Sequence, residues 1–598
     1  MTTTASSQSW ALADLPLHKL LSAGRRITRE QCGGSVRLAI LGDCATQHYR
    51  SALEACLRLR GVWTETYEAE FDMIRHEALD PASGLYQHAP EVVVLFPCVQ
   101  TFARHVSSLS AGARHQAASE VPFVELWSRI KNGTGAVIVQ HLLAVPAERP
   151  YGNQTLTSAD SLAAVVGRLN GALARAAVEH GVRIIDTEAQ ASYFGKRQWF
   201  DHRLWCQARQ ALSPAFLPPL AKSASDTILA DRGSFTKCVI LDLDNTLWGG
   251  ILGDDGAERI DIGQTEVGLA FQLLQSQMLE LAERGLLLAV CSKNDETAVR
   301  RVLLEHPDML LRPDHFAAIV ANYEDKASNI RAIQAQLNIG FDSMVFLDDS
   351  PFERDWVRQS LPDVQVPELP DDPAAVLAAL PRWNLFEGHR ATGEDARRAR
   401  FYQDDTRRRD LLASAASIDD YLQGLEMKAE IRGFDGYSLP RVHQLVQRSN
   451  QFNLTTIRYT QDELQAMVGV DDLRGVTVRL EDRLGDNGVV AVAIVRQVGD
   501  DALVDTWIMS CRVLGRGVEE LTLGALINSA RELGCRRLIG RYVPTAKNAL
   551  VAGLYQRLGF TLLPGDAACQ EFVVALDNFN APSHSIQLIT AEDKEHRD

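Results

Sequence analysis

The sequence has no run of 18 consecutive apolar residues, which excludes an ordinary membrane-spanning helix. Its start, MTTTASSQSW, has neither the basic flank nor the apolar stretch of a signal peptide, so the chain is expected to be cytoplasmic, with no membrane partner. No CxxC pair occurs, and the ten cysteines are scattered singly, which argues against a disulfide framework and for reduced thiols. Positive charge is the scarcer sign: 61 Lys and Arg against 77 Asp and Glu leave −16. That balance argues against a general affinity for nucleic acid, while leaving room for a local basic patch. Internal repeats and low-complexity tracts are missing too. What is present is ordinary for a soluble globular protein: 46% hydrophobic and 23% charged residues. At 598 residues the chain exceeds one hydrophobic core and should form three to four domains.

Hydrophobic periodicity divides it. After an N-terminal extension, 1–35, a block at 36–225 alternates strands (VRLAILG, EVVVLF, GAVIVQ, VRIID) with helical stretches (HYRSALEACLRLRG, ADSLAAVVGRLNGALARAAVEHG), the pattern of a doubly wound α/β sheet. The Pro- and Ser-bearing stretch LSPAFLPPLAKSAS reads as a separator. A second alternating block, 232–385, runs CVILDLD, LLLAVCS, FAAIVAN and MVFLDD with helices between them. A charged helical linker, 386–424, leads to a strand-rich α+β block at 425–580 and a tail, 581–598.

The second block carries the clearest chemistry. VILDLDNTLWGG puts Asp242 and Asp244 at the carboxyl end of a buried strand, where open α/β sheets hold ligands. Asp242 can attack phosphorus, and Asp244 can protonate the leaving oxygen and then deprotonate water. Thr246 and Ser292 offer hydroxyls to phosphoryl oxygens, with Asn294 beside them in CSKND, and Lys326 brings positive charge at a helix start. Asp348 and Asp349, ending MVFLDD, supply hard oxygens that suit Mg²⁺ together with Asp242 and Asp244.

These four motifs, in this order, resemble the haloacid dehalogenase (HAD) phosphatases. DLDNTLWGGILGDDG with CSKND, DKASNI and FLDDSPFER resembles the FkbH-like group more narrowly. The stretch between the first two motifs is too short for a large cap, so the expected fold is Rossmann-like and nearly capless.

In the third block, WIMSCRVLGRGVEELTLGAL places Arg512, Gly515, Arg516 and Gly517 in a turn between strand and helix, where backbone N–H groups can hold a phosphate. With NALVAGLYQRLGF this resembles the GNAT acyltransferases, whose turn binds coenzyme A or a pantetheine phosphate. Cys511 stands just before it, where a helix N-terminus and Arg512 would favour thiolate. The first block opens LAILGDCATQHY and is similar to SGNH hydrolases, with Cys44 where serine usually stands. After EVVVLF that family expects Gly-x-Asn-Asp, and PCVQ stands here. His202 in WFDHRLW is the candidate base, and Gln100 or Gln47 the candidate oxyanion partner.

The order of SGNH-like, HAD and GNAT-like parts resembles full-length FkbH-like proteins of polyketide biosynthesis. That resemblance implies a reaction in which 1,3-bisphosphoglycerate is dephosphorylated and its glyceryl unit loaded onto the phosphopantetheine thiol of an acyl carrier protein. An enzyme thioester is expected on Cys511 or Cys44. Arg512, Arg516, Arg397, Arg398, Arg400 and Arg407 to Arg409 are candidates for docking the carrier. The rival readings are a phosphatase of another small substrate with structural flanks, and an acyltransferase using acyl-CoA.

Overall fold

The computed structural model describes residues 8–108, 123–155, 157–388, 408, 411, 417–436, 438–448, 452–510, 513–545, 548–564, 568–577 and 579–589. Its strands form three sheets, two of them parallel where their pairings are defined and one mainly antiparallel.

The first sheet comprises β1 (Gly34–Gly42), β2 (Val62–Glu68), β3 (Val92–Phe96), β4 (Val137–His141) and β5 (Arg183–Ile185), in the order β2-β1-β3-β4-β5, every pair parallel. The sequence pattern missed β2. VWTETYE lies at the sheet edge with one buried residue, so it never needed a continuous apolar run. The extension is built into this part: Leu12 and Leu20 enter its core, and Gly24 lets the helix Leu17–Arg25 approach the helix Gln47–Leu59. A Cβ at Gly24 would meet Ala55 Cβ at 2.5 Å.

The expected separator is a helix, Leu217–Asp231, buried from Leu217 to Ala230. Pro218 and Pro219 sit at its first turn, where a missing N–H costs nothing, and small Ala and Ser residues fit it between neighbours. Its Lys222 is 1% exposed, with Nζ 2.6 Å from Asp226, which also pairs with Arg60 at 2.5 Å. An unpaired buried ammonium would be costly, so this pairing is what lets the helix sink into the core.

The second sheet has the order β8-β7-β6-β9, from β6 (Cys238–Leu241), β7 (Leu287–Ser292), β8 (Phe316–Ala321) and β9 (Met344–Leu347), with β6–β7 and β7–β8 parallel. Between β6 and β7 stand only the helical turn Leu252–Asp255 and the helix Glu266–Glu283, so no large cap is present.

The third sheet runs β15-β16-β14-β13-β12-β11-β10-β17. Its strands are β10 (Lys428–Arg432), β11 (Leu473–Asp482), β12 (Gly485–Val498), β13 (Asp501–Met509), β14 (Arg537–Tyr542), β15 (Thr561–Leu562), β16 (Gln570–Ala575) and β17 (Gln587–Leu588). All pairs are antiparallel except β13–β14 and β10–β17. The helix Val518–Glu532 buries Leu521, Leu523 and Leu526 in the core with Trp507 and Tyr555. The expected tail thus supplies an edge strand. No helix among the described residues is long and apolar enough to cross a membrane.

Candidate functional site

All four residues of β6 are buried, and the chain turns sharply at its carboxyl end. Asn245 adopts the left-handed conformation, φ 53°, which asparagine tolerates, and its Oδ1 accepts from the Gly250 N–H at 3.0 Å. The turn carries Trp248 and Leu252 back onto Asp244. Its Oδ1 accepts from Trp248 Nε1 and from the Leu252 N–H, both at 3.0 Å, while Oδ2 accepts from Asn294 Nδ2 at 2.8 Å. Asn294 also donates to Ser292 Oγ at 3.1 Å, which ties the end of β7 to the same carboxylate. Donors on both oxygens fix the orientation of Asp244.

Asp242 lies 2.9 Å from Nζ of Lys326, and the two residues are 6% and 3% exposed. Lys326 begins the helix Lys326–Leu337, capped by Asp325, whose Oδ1 accepts from the Ser328 N–H at 3.0 Å. The lysine therefore projects from a fixed helix start. Thr246 and Ser292 are buried, at 3% and 1%.

After β9, Asp348 Oδ1 accepts from the Ser350 N–H at 2.8 Å. Arg354 donates to the carbonyls of Asp348 and Asp349 at 2.8 and 2.6 Å and pairs with Glu368 at 3.0 Å. This arginine pins the turn that carries both aspartates. Its motif, FLDDSPFER, is plain in the sequence, but this backbone-pinning role is not. Asp242, Asp348 and Asp349 bring carboxylate oxygens within 4.8 Å of one another, an all-oxygen set that fits a hard divalent cation.

The first sheet brings together a different group. Cys44 is buried beside Cys98, and its Sγ lies 3.9 Å from the Phe96 carbonyl oxygen. Bonding to Cys98 together with burial pushes the Cys44 thiol well above its usual range, the opposite of an activated nucleophile. His202 is not its base: it is two-thirds exposed and bonded to Glu148 at 2.7 Å. Gln100 donates to the Ala211 carbonyl at 2.8 Å, and Gln47 is exposed at a helix start, so neither is arranged as an oxyanion donor to Cys44. Among the described residues the buried histidine is His141, between Tyr49 Oη at 2.7 Å and Thr187 Oγ1 at 3.1 Å, with burial holding it neutral down to about 3.

In the third sheet, Gly515 and Gly517 take φ of 71° and 85° before the helix Val518–Glu532, as a phosphate-binding turn requires. The Gly515 N–H, however, donates to Glu519 Oε1 at 2.9 Å, and Arg557 pairs with the same carboxylate at 3.5 Å. Arg516 is buried 3.9 Å from Asp482, and Arg408 grips Asp482 through two nitrogens at 2.8 and 2.9 Å. Those two arginines face inward instead of forming a docking patch. Cys511, Arg512, Arg397, Arg398, Arg400, Arg407 and Arg409 lie outside the described residues.

The family described as FkbH, N-terminal domain, matches residues 37–229. The N-terminal part of a Bacteroides fragilis protein, containing a phosphatase domain and complexed with Mg, is 34% identical, with a TM-score of 0.60 over 62% of this chain and 99% of that one. The GNAT domain of S. lividans PAT matches at 17% identity and TM-score 0.20, over 24% of this chain and 89% of its own. The Escherichia coli ribosomal-protein-S18-alanine N-acetyltransferase matches at 18% and 0.20, over 25% and 98%. No curated protein matches. On the strength of the Bacteroides similarity and the matching N-terminal domain, the chain belongs to the FkbH family and is an enzyme of the phosphatase type.

Proposed function

We propose that this enzyme takes 1,3-bisphosphoglycerate, removes the phosphate of its monoester end, and delivers the glyceryl unit to the phosphopantetheine thiol of an acyl carrier protein. The observation that carries the phosphatase half is the buried Asp242–Lys326 pair beside an Asp244 held by donors on both oxygens. Asp242 attacks phosphorus and takes up the phosphoryl group as an aspartyl phosphate while Lys326 offsets the charge. Asp244 gives its proton to the leaving oxygen, then takes one from the water that releases phosphate. Asp242, Asp348 and Asp349 would hold Mg²⁺, whose contribution when bound is to neutralise charge on the phosphoryl oxygens.

The acyl half rests on family membership and on the glycine turn before Val518–Glu532, which would hold the pantetheine phosphate. A thiolate attacks the acyl phosphate readily, forming the thioester and expelling the acyl-end phosphate as inorganic phosphate, whereas the monoester at the other end needs the aspartates. Intact-protein mass spectrometry of a carrier protein incubated with the enzyme, Mg²⁺ and 1,3-bisphosphoglycerate tests the whole reading: a glyceryl adduct is expected, and free glycerate with an unmodified carrier would refute it. One observation favours the rival, a phosphatase with structural flanks: Glu519 already occupies the Gly515 amide. In that case phosphate is released and the carrier gains no mass.

A further inference from the structure

We infer that Asp43, Cys44 and Cys98 form a second metal site, separate from the aspartate cluster, that takes a thiophilic divalent cation of the zinc class. Asp43 and Cys44 follow β1, and Cys98 follows β3, its parallel neighbour over Leu38–Gly42 and Val92–Phe96. In the order β2-β1-β3-β4-β5 the chain leaves β1 for β2 on one side and returns to β3 on the other. Open parallel sheets hold their ligands outside the carboxyl ends of the strands at such a reversal. All three residues stand there.

A carboxylate oxygen of Asp43 and the two Sγ atoms lie within 4.8 Å of one another. A tetrahedral zinc ion with Zn–S near about 2.3 Å and Zn–O near about 2.1 Å keeps its donors somewhat under 4 Å apart, so ligation asks for about 1 Å of contraction at most. The local chain is already shaped for it. Gly42 permits the tight turn after β1, since a Cβ there would meet Thr46 Cγ2 at 2.4 Å. Asp43 Oδ1 accepts from the Cys98 N–H at 2.7 Å, which aims the carboxylate across to β3. Thr101 Oγ1 donates to the Asp43 carbonyl at 2.9 Å and lies 3.4 Å from Cys98 Sγ, closing the far side.

The donor types decide the ion. Two thiols with one carboxylate suit zinc and repel no soft metal, whereas magnesium prefers all-oxygen sites. Each ligand that binds as thiolate or carboxylate releases its proton to solvent, and three protein ligands leave a fourth position for water or substrate.

The test uses the full chain, expressed with zinc in the medium and dialysed without chelator. Elemental analysis should find about one zinc per chain, present also in Asp242→Asn and lost in Cys44→Ser and in Cys98→Ser. Circular dichroism establishes whether those variants fold. Should a serine variant fail to fold, Co²⁺ titration of the metal-free wild type decides, because thiolate ligation gives a near-ultraviolet charge-transfer band. Wild-type protein that retains no zinc and gives no such band overturns the site, as does a Cys44–Cys98 disulfide in protein purified under reducing conditions.

Discussion

Lys326 and Asp242 are an ion pair at 2.9 Å between two side chains that are almost wholly out of water. Each charge makes the other's burial tolerable at the point where a phosphate would arrive. Asp242→Asn should therefore cut phosphate release on the order of a thousandfold or more while the fold persists, since the amide is nearly isosteric. Lys326→Met removes the ammonium that pairs with the buried Asp242 and should cost about 3–5 kcal/mol of stability as well as activity. Phosphate release and urea unfolding, measured on both variants, separate these effects; unchanged release by Asp242→Asn refutes the assignment.

Asn294 touches Asp244 at 2.8 Å and Ser292 at 3.1 Å, and so acts through them as a positioning residue. Asn294→Ala should lower kcat by about tenfold to a hundredfold, as a misplaced catalytic group does, and leave KM within a factor of about two. Asn294→Ser, with a donor of its own, should restore part of kcat. A change in KM alone would show that the side chain serves only substrate binding.

His141 makes the first sheet sensitive to acid. Burial lowers it to about 3, so between its unfolded value, about 6.5, and that pH the unfolded chain binds the extra proton. Stability is complete above about pH 6.5 and falls by about 1.4 kcal/mol per pH unit below it. Hydrogen–deuterium exchange in β4 at pH 7 and pH 5 should show roughly 2 kcal/mol of loss in the wild type. His141→Gln should remove most of that difference.

The parts legible in the sequence were those where composition and chemistry coincide. Cys238–Leu241 is a short apolar run that ends in Asp242 and Asp244, and both the strand and the aspartates stand where that pattern places them. Leu217–Asp231 was illegible because prolines and serines imitate a linker, and only the neighbours that bury it reveal a helix. The closeness of Cys98 to Asp43 and Cys44 is not legible in the sequence, because β2 and β3 stand between them and only the pairing of β1 with β3 joins them. Arg354 reads as a charged helix residue; its bonds to two backbone carbonyls depend on a turn that sequence periodicity does not describe.

Arg408 and Asp482 form a pair at 1% and 0% side-chain exposure, anchoring one residue of the charged stretch to the β11–β12 hairpin. Arg408→Ala should destabilise the third sheet by about 3–5 kcal/mol, because Asp482 would stay buried with its main counter-ion gone. Asp482→Asn in the same chain should recover part of that loss. Chemical denaturation followed by hydrogen–deuterium exchange in β11 and β12 reads both, and a fully additive double variant would show that the pair is not coupled.

The last prediction concerns Glu519, whose carboxylate accepts from the Gly515 N–H at 2.9 Å and pairs with Arg557 at 3.5 Å. An incoming phosphate would seek the same amide and the same guanidinium, and the fixed carboxylate opposes it through both occupancy and charge. Glu519→Gln keeps the size of the side chain and removes the charge, which frees Arg557 and weakens the hold on the amide. If the turn is a pantetheine-phosphate site, calorimetry with a phosphopantetheine-bearing carrier protein should show binding about tenfold tighter, equivalent to about 1.4 kcal/mol. Binding of the carrier without its arm should not change. Equal affinity of wild type and variant for the armed carrier would mean that Glu519 and the turn are a structural helix start, and the acyl-transfer half of the proposal would lose its site.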